Sequence, residues 1–596
     1  MAIKLVMGNE AIALGAIHAG VNLVSGYPGT PSTEVLETVA KQNPGDIYVE
    51  WSVNEKAALE VAAGASYTGA RSMVTMKQVG LNVASDPLMS LAYIGVKGGM
   101  VILVADDPGP ISSQTEQDTR HFAKYANLPV FDPTTPEEAY EMIEEAFDFS
   151  ETYQIPVIFR PTTRICHGCA TVDIREGRRI QSREGFVKDP KWTIFPKLSY
   201  ENHLKIEALS RKLSKVFSTY ERNAVEGSGD QVIVASGVAY TYAKEALASL
   251  QASCRLVKLA TANPFPKDFA RSFLQGASQV LVLEELDPVI EEELTRLCGE
   301  DRIPLTIFGK HTGHAPYAGE YSTEALLEII SSFLSVPYER PSLPPPPALP
   351  VRPPVLCAGC PHRASFYAVK QAMKGQDAVF TGDIGCYTLG NAKPLDMVDT
   401  CLCMGAGITI AQGLSRMEPD KKQIAFIGDS TFFHTGIAGI LNAAYNETDI
   451  TVVILDNSTT AMTGHQPHPG TGQTMMGDIS EKIDIEALVK ACGVKCVKTA
   501  NPLNLKEAVA AVQEAVAFSG VSAVIFRSPC IALFKPAVKM EIQDSCINCK
   551  KCIREIGCPA IMADGGKVRI EPSLCYGCGL CSQICPVHAI SGGDSK

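Results

Sequence analysis

Short apolar runs alternate with longer amphipathic segments through most of this chain, and the alternation predicts strand, helix and strand in turn. The clearest instance spans residues 424–464. An apolar run at 423–427 meets a tight Gly428-Asp429-Ser430 turn, a helical stretch follows through Tyr445, and a second apolar run at 451–455 ends in Asp456-Asn457. Two such runs flanking an amphipathic segment predict a βαβ unit. Its strands are parallel, so Asp429 and Asn457 both emerge at carboxyl ends, where open α/β sheets bind ligands. A carboxylate and an amide oxygen brought together there suit a hard cation that also holds phosphate oxygens, which is Mg²⁺. Gly428 lets the backbone approach a diphosphate, and the helix N-terminus behind it favours negative charge. Alone, Gly-Asp-Ser is a strand-to-helix turn with a cap. An Asn closing the next strand, 29 positions after Gly428, makes coincidence a poor explanation.

The same patterning divides the rest of the chain. Residues 1–190 alternate strand-like and helix-like segments, beginning with a strand and a helix at the N-terminus. A Gly/Pro loop at 26–31 gives way to a Ser/Thr cap and a helix, and an alanine-rich helix opens at Glu55. Residues 225–335 form a second α/β segment, in which Glu284, Glu285 and Asp287 are expected on a solvated acidic face. Residues 341–354 are a proline-rich tract, read as a semi-rigid linker. Residues 355–538 hold the unit described first, and 541–590 are rich in cysteine.

At 596 residues the chain exceeds one core, and three or four domains are expected. Its 46% hydrophobic and 20% charged residues describe an ordinary globular protein. A formal charge of −12 without any basic run argues against nucleic acid as partner. No apolar run is long enough to span a membrane. Glu10 and His18 come too early for a secretion signal, so the cytoplasm is the expected location.

Twenty cysteines in such a chain point to metal or redox chemistry rather than disulfides. Cys546, Cys549 and Cys552 are followed by Cys558-Pro559, and Cys575, Cys578 and Cys581 by Cys585-Pro586. This is the two-cluster ferredoxin pattern, in which the fourth cysteine of each run ligates the other cluster. One 4Fe-4S cluster would take Cys546, Cys549, Cys552 and Cys585; the other Cys575, Cys578, Cys581 and Cys558. The spacing disfavours a pair of Cys₄ zinc sites. Five residues rather than three precede Cys558, an insertion that a bulge within 553–557 could absorb. Cys166 and Cys169 have no second pair near them in sequence and are read as structural or as an incidental surface pair.

The Asp429–Asn457 spacing resembles the thiamin diphosphate motif, with Ser430 in the place of its last glycine, as in the 2-oxoacid:ferredoxin oxidoreductases. The resemblance implies that Asp429, Asn457 and the Thr459 carbonyl hold Mg²⁺, and that Thr463, Gly464 and Gln466 form the loop beside them. Glu55, otherwise a first-turn carboxylate complementing its helix dipole, then matches the carboxylate set against the pyrimidine ring. Residues 27–32 resemble the YPxTPS loop of that family, whose Thr meets the substrate carboxylate; Thr30 is the match, otherwise a turn hydroxyl. Cys357, Cys360, Cys386 and Cys530 are similar to the four thiolates that hold a third 4Fe-4S cluster near thiamin, and Cys403 falls near the thiazolium as packing.

The order of segments is similar to that of the α subunits in the indolepyruvate branch of this superfamily. The implied fold is α/β, with two doubly wound thiamin-binding domains (1–190 and 355–538), a transketolase C-terminal-like domain (225–335) and a ferredoxin domain (541–590). The implied activity is oxidative decarboxylation of an aryl 2-oxo acid to an acyl-CoA, with electrons passing to an external ferredoxin. The implied partner is a smaller β subunit carrying the superfamily's gamma-type domain, in an α2β2 assembly. Another 2-oxo acid, a non-redox thiamin decarboxylase and a pure electron-transfer subunit are the alternatives.

Overall fold

The computed structural model describes residues 2–179, 184–341, 344, 347–536 and 538–592. The chain divides into two compact units, residues 1–345 and 346–596. Their boundary falls within the proline-rich tract, of which 342–343 and 345–346 lie outside the described residues.

The first unit contains a six-stranded parallel sheet in the order Tyr48–Trp51, Leu23–Gly26, Ser72–Lys77, Met100–Ala105, Val157–Phe159, Val130–Phe131. The N-terminal strand Ala2–Met7 stays outside this sheet and pairs antiparallel with Cys169–Ile174. Cys166 is buried and Cys169 exposed at the edge of that ribbon. A second sheet runs Thr306–Phe308, Gln279–Leu283, Gln231–Ala235, Arg255–Lys258, Ala224–Glu226, with only the last strand antiparallel. Its apolar runs are continuous because both faces are covered: Ile233, Leu281 and Leu283 enter one core, Val232, Val280 and Val282 the other.

Glu284 and Glu285 are not on a solvated face. Both are buried. Arg120 Nη1 donates to Glu284 Oε2 at 2.6 Å, and the backbone N–H groups of Ile290 and Glu291 donate to the same carboxylate at 2.9–3.0 Å. A fully buried guanidinium needs a carboxylate, and so does the start of the helix Val289–Asp301; Glu284 serves both. Glu285 accepts from the Tyr321 backbone N–H at 2.9 Å. Only Asp287 of the trio is exposed, with its carboxylate 3.1 Å from His121.

The second unit is built on a parallel sheet ordered Ala378–Thr381, Lys422–Gly428, Thr451–Asp456, Ser522–Arg527, Cys496–Ala500. Ile424, Phe426, Val453 and Leu455 face one core, while Ala425, Ile427, Val452 and Ile454 face the other, the packing of a doubly wound sheet. The helix after the Gly428 turn is not continuous. It runs Asp429–Thr431, opens into a π turn over Phe432–Gly436, and resumes as Ile437–Tyr445. The cysteine-rich end carries two small antiparallel ribbons, Met540–Ile542 with Ile590–Gly592 and Ile561–Asp564 with Lys567–Ile570. Its apolar residues Ile556, Ala560, Leu580 and Ile584 join the core that Phe366, Phe426 and Leu455 form.

Candidate active site

Asp429 begins its helix at the end of Lys422–Gly428, and Asn457 follows Thr451–Asp456 on the adjacent strand. Three backbone N–H groups orient the Asp429 carboxylate: Ser430 at 2.8 Å, Asn457 at 3.1 Å and Ser458 at 2.7 Å. The Asn457 side-chain oxygen accepts from Thr459 N at 3.1 Å. Thr460 Oγ1 donates to Ser430 Oγ at 2.9 Å, tying the second loop to the first. Thr463 and Gln466 close that loop reciprocally, Oγ1 to Oε1 and Nε2 to the Thr463 carbonyl, both at 2.7 Å, around Gly464. Gly428, Asp429, Ser430, Asn457, Thr459, Thr463 and Gly464 therefore form one group. A Cβ on Gly428 would lie 2.6 Å from the Tyr387 ring, so the residue is held to glycine by its neighbour as well.

Two histidines absent from the sequence reading flank this group. His468 Nε2 lies 3.1 Å from Asp429 Oδ2. His362 Nε2 lies 3.3 Å from Asn457 Nδ2, its Nδ1 is buried without a partner, and burial pulls its pKa down to about 4 despite the Asp429 charge. A neutral imidazole with an orphaned nitrogen suits a polar ligand here. The oxygen donors of Asp429 and Asn457 suit Mg²⁺. Among the described residues, no three His, Cys, Asp or Glu side chains gather closely enough to hold a single metal ion. Tyr387 donates to Asp383, whose pKa burial raises to about 7 while that bond and the Gly405 N–H at 2.7 Å oppose the rise. His362 stands two positions after Cys360, and Tyr387 directly follows Cys386; those positions were the available signal.

The cysteines form three neighbourhoods in the second unit. Burial raises the Cys386 thiol to about 11, with Cys530 and Cys357 adding to the rise. It raises Cys360 to about 12 against the His362 and Arg363 backbone N–H groups, with Cys357 again beside it. Cys530 N donates to the Asn457 carbonyl at 2.9 Å, which joins this neighbourhood to the Asp429 loop. A second cavity is lined by Cys558, Cys575, Cys578 and Cys581, together with Cys360 and Arg363. The helix Lys551–Ile556 absorbs the longer spacing, and left-handed Gly557 turns the chain so that Cys558 reaches that cavity. A third cavity is lined by Cys546, Cys549, Cys552 and Cys585. Arg363 links the neighbourhoods, donating to the Ile556 and Gly557 carbonyls at 2.6 and 2.9 Å. Such pockets of sulfur suit iron–sulfur clusters. Cys403 is exposed.

In the first unit, Glu55 opens the helix Glu55–Tyr67 behind an Asn54 cap and is only 6% exposed. A Cβ on Gly80 would stand 2.6 Å from Glu55 Oε1, so the carboxylate rests directly on that backbone. Thr30 is half-buried, and its carbonyl accepts from Ser112 Oγ at 3.2 Å.

Fold, diphosphate loop and cysteine pockets define the class: a thiamin-diphosphate-dependent iron–sulfur oxidoreductase. Residues 14–219 match the family model for pyruvate flavodoxin/ferredoxin oxidoreductase, thiamine diphosphate-binding; 383–526 match the C-terminal TPP-binding domain of thiamine pyrophosphate enzymes, and 568–591 a 4Fe-4S binding domain. The chain is 41% identical to an indolepyruvate oxidoreductase subunit IorA of Archaeoglobus fulgidus, over 99% of this chain and 97% of that one. It is 43% identical to the protein of that name in Methanothermobacter thermautotrophicus (98% and 96% covered) and 40% to that in Thermococcus kodakarensis (98% and 96%). The chain belongs to the indolepyruvate oxidoreductase subunit IorA family.

Proposed function

We propose that this chain is the catalytic α subunit of an enzyme that oxidatively decarboxylates aryl 2-oxo acids of the indolepyruvate type to acyl-CoA and delivers the electrons to ferredoxin. The observation that carries the reading is the Cys530–Asn457 hydrogen bond, because it fastens a cysteine pocket to the loop that binds diphosphate. Thiamin diphosphate supplies the electron sink for losing CO₂, and the clusters supply one-electron acceptors. Asp429, Asn457 and the Thr459 carbonyl hold Mg²⁺; Gly428, Ser430, Thr463 and Gly464 frame the diphosphate. Glu55 holds a proton against the aminopyrimidine, and Thr30 meets the substrate.

Cys357, Cys360, Cys386 and Cys530 hold the first of three 4Fe-4S clusters. Cys558, Cys575, Cys578 and Cys581 hold the next, sharing a cavity with Cys360, and Cys546, Cys549, Cys552 and Cys585 the last. The domains are assigned as 1–190, 225–335, 355–538 and 541–590. A smaller β subunit with the gamma-type domain completes an α2β2 enzyme in the cytoplasm. No helix among the described residues is long and apolar enough to cross a membrane.

The test is anaerobic purification with the β subunit and a panel of 2-oxo acids assayed for CoA-dependent ferredoxin reduction. Aryl 2-oxo acids should give the highest kcat/KM. Aldehyde release without ferredoxin reduction would establish a non-redox decarboxylase instead.

A further inference from the structure

The first unit carries a cation that the site described above leaves unused. Lys77 ends the strand Ser72–Lys77, which runs between Leu23–Gly26 and Met100–Ala105 in the parallel sheet. Its side chain thus leaves at the carboxyl edge, where sheets of this kind bind ligands. The stem is fixed by packing: a Cβ on Gly29 would stand 3.1 Å from Lys77 Cγ and Cδ. The ammonium donates to the Ser112 carbonyl at 3.2 Å. Ser112 Oγ donates in turn to the Thr30 carbonyl at 3.2 Å, and Ser112 N to Asp107 at 2.8 Å. Lys77 and Thr30 are therefore held on the same residue.

Three buried arginines around this sheet are committed elsewhere. Arg71 is bound by Asp148 and Glu151, Arg120 by Asp118 and Glu284, and Arg160 by Asp106 and Asp132. Burial pulls the Lys77 pKa below its usual range, and the nearby Asp107 and Glu55 charges counter only part of that. An ammonium so placed gains from an arriving anion. The Thr30 hydroxyl, being neutral, offers a carboxylate little compensation for the water it gives up.

We propose that Lys77 is the cation that seats the carboxylate of the 2-oxo acid. The assignment rests on the function proposed above and adds its specificity element: Lys77 selects for an acid, and it offsets the repulsion that Glu55 and Asp107 exert on an incoming anion.

The test uses the full chain with its β subunit, as wild type, Lys77→Met and Lys77→Arg. Lys77→Met should raise KM for the 2-oxo acid about ten- to hundredfold, the range of a charge-assisted hydrogen bond, and change kcat far less. It should weaken competitive inhibition by an arylpropionate by the same factor and leave inhibition by the neutral arylpropionamide unchanged. Lys77→Arg should restore most of the KM. In wild-type enzyme, the arylpropionate should shield Lys77 from an amine-reactive label read by mass spectrometry, and the amide should not. An unchanged KM, equal weakening of acid and amide, or no shielding overturns the assignment. A wild-type enzyme inert towards every 2-oxo acid overturns the parent reading and this one together.

Discussion

Glu55 and Gly80 form a pair that mutation can take apart. Glu55→Gln keeps the shape and removes the exchangeable proton, so 2-oxo-acid-dependent ferredoxin reduction should fall about 10²- to 10⁴-fold. The visible absorbance of the clusters should not change. Gly80→Ala places a methyl 2.6 Å from the carboxylate. Crowding of that kind costs about 1–3 kcal/mol, so both activity and melting temperature should drop. Glu285 gives a pH signature. Burial raises its folded pKa to about 7, above the ordinary carboxylate value, so the proton it holds when folded contributes stability that is lost as pH rises through about 7. Glu285→Gln keeps an acceptor for the Tyr321 N–H. Thermal melts should therefore show the variant gaining on wild type between pH 5.5 and pH 8. Asp429 and Asn457 were legible because strand ends impose a spacing. Glu284, Lys77 and His468 were not, because partners far away in sequence decide their burial and their role.

Elements show the same division. The two apolar runs around residues 423–456 read as parallel strands because a sheet covered on both faces needs unbroken hydrophobicity. The π turn at Phe432–Gly436 left no such trace: it inserts one residue into a helix whose polar pattern barely changes. The five-residue gap before Cys558 was visible in sequence, and its accommodation depends on a short helix and left-handed Gly557. If Cys558 ligates the middle cluster, Cys558→Ala should remove roughly a third of the iron, as measured by chemical analysis and EPR. Thiamin content should fall with it, because Leu580 lines that pocket and shares a core with Phe426 and Leu455.

At the scale of the whole molecule, the proline-rich tract marks where the two units part. Leu349 and Val351 are 79% and 91% exposed there. Limited elastase digestion should cut first at residues 348–352 and leave the cysteine-rich segment attached to the diphosphate domain, as mass spectrometry of the fragments would show. Composition made a separate ferredoxin module legible, since its cysteines cluster so tightly. Its interior was not legible, because it is completed from 193–194 positions upstream, as in the contact of Arg363 with Ile556 and Gly557.

That common interior makes the iron-binding segment part of the packing beneath the strands that lead into Asp429 and Asn457 rather than a wire clipped onto them. Oxygen that strips the outer irons would loosen Leu580 and Ile584, and through them the ground on which the vitamin rests. Air inactivation should then release both prosthetic groups along a single time course.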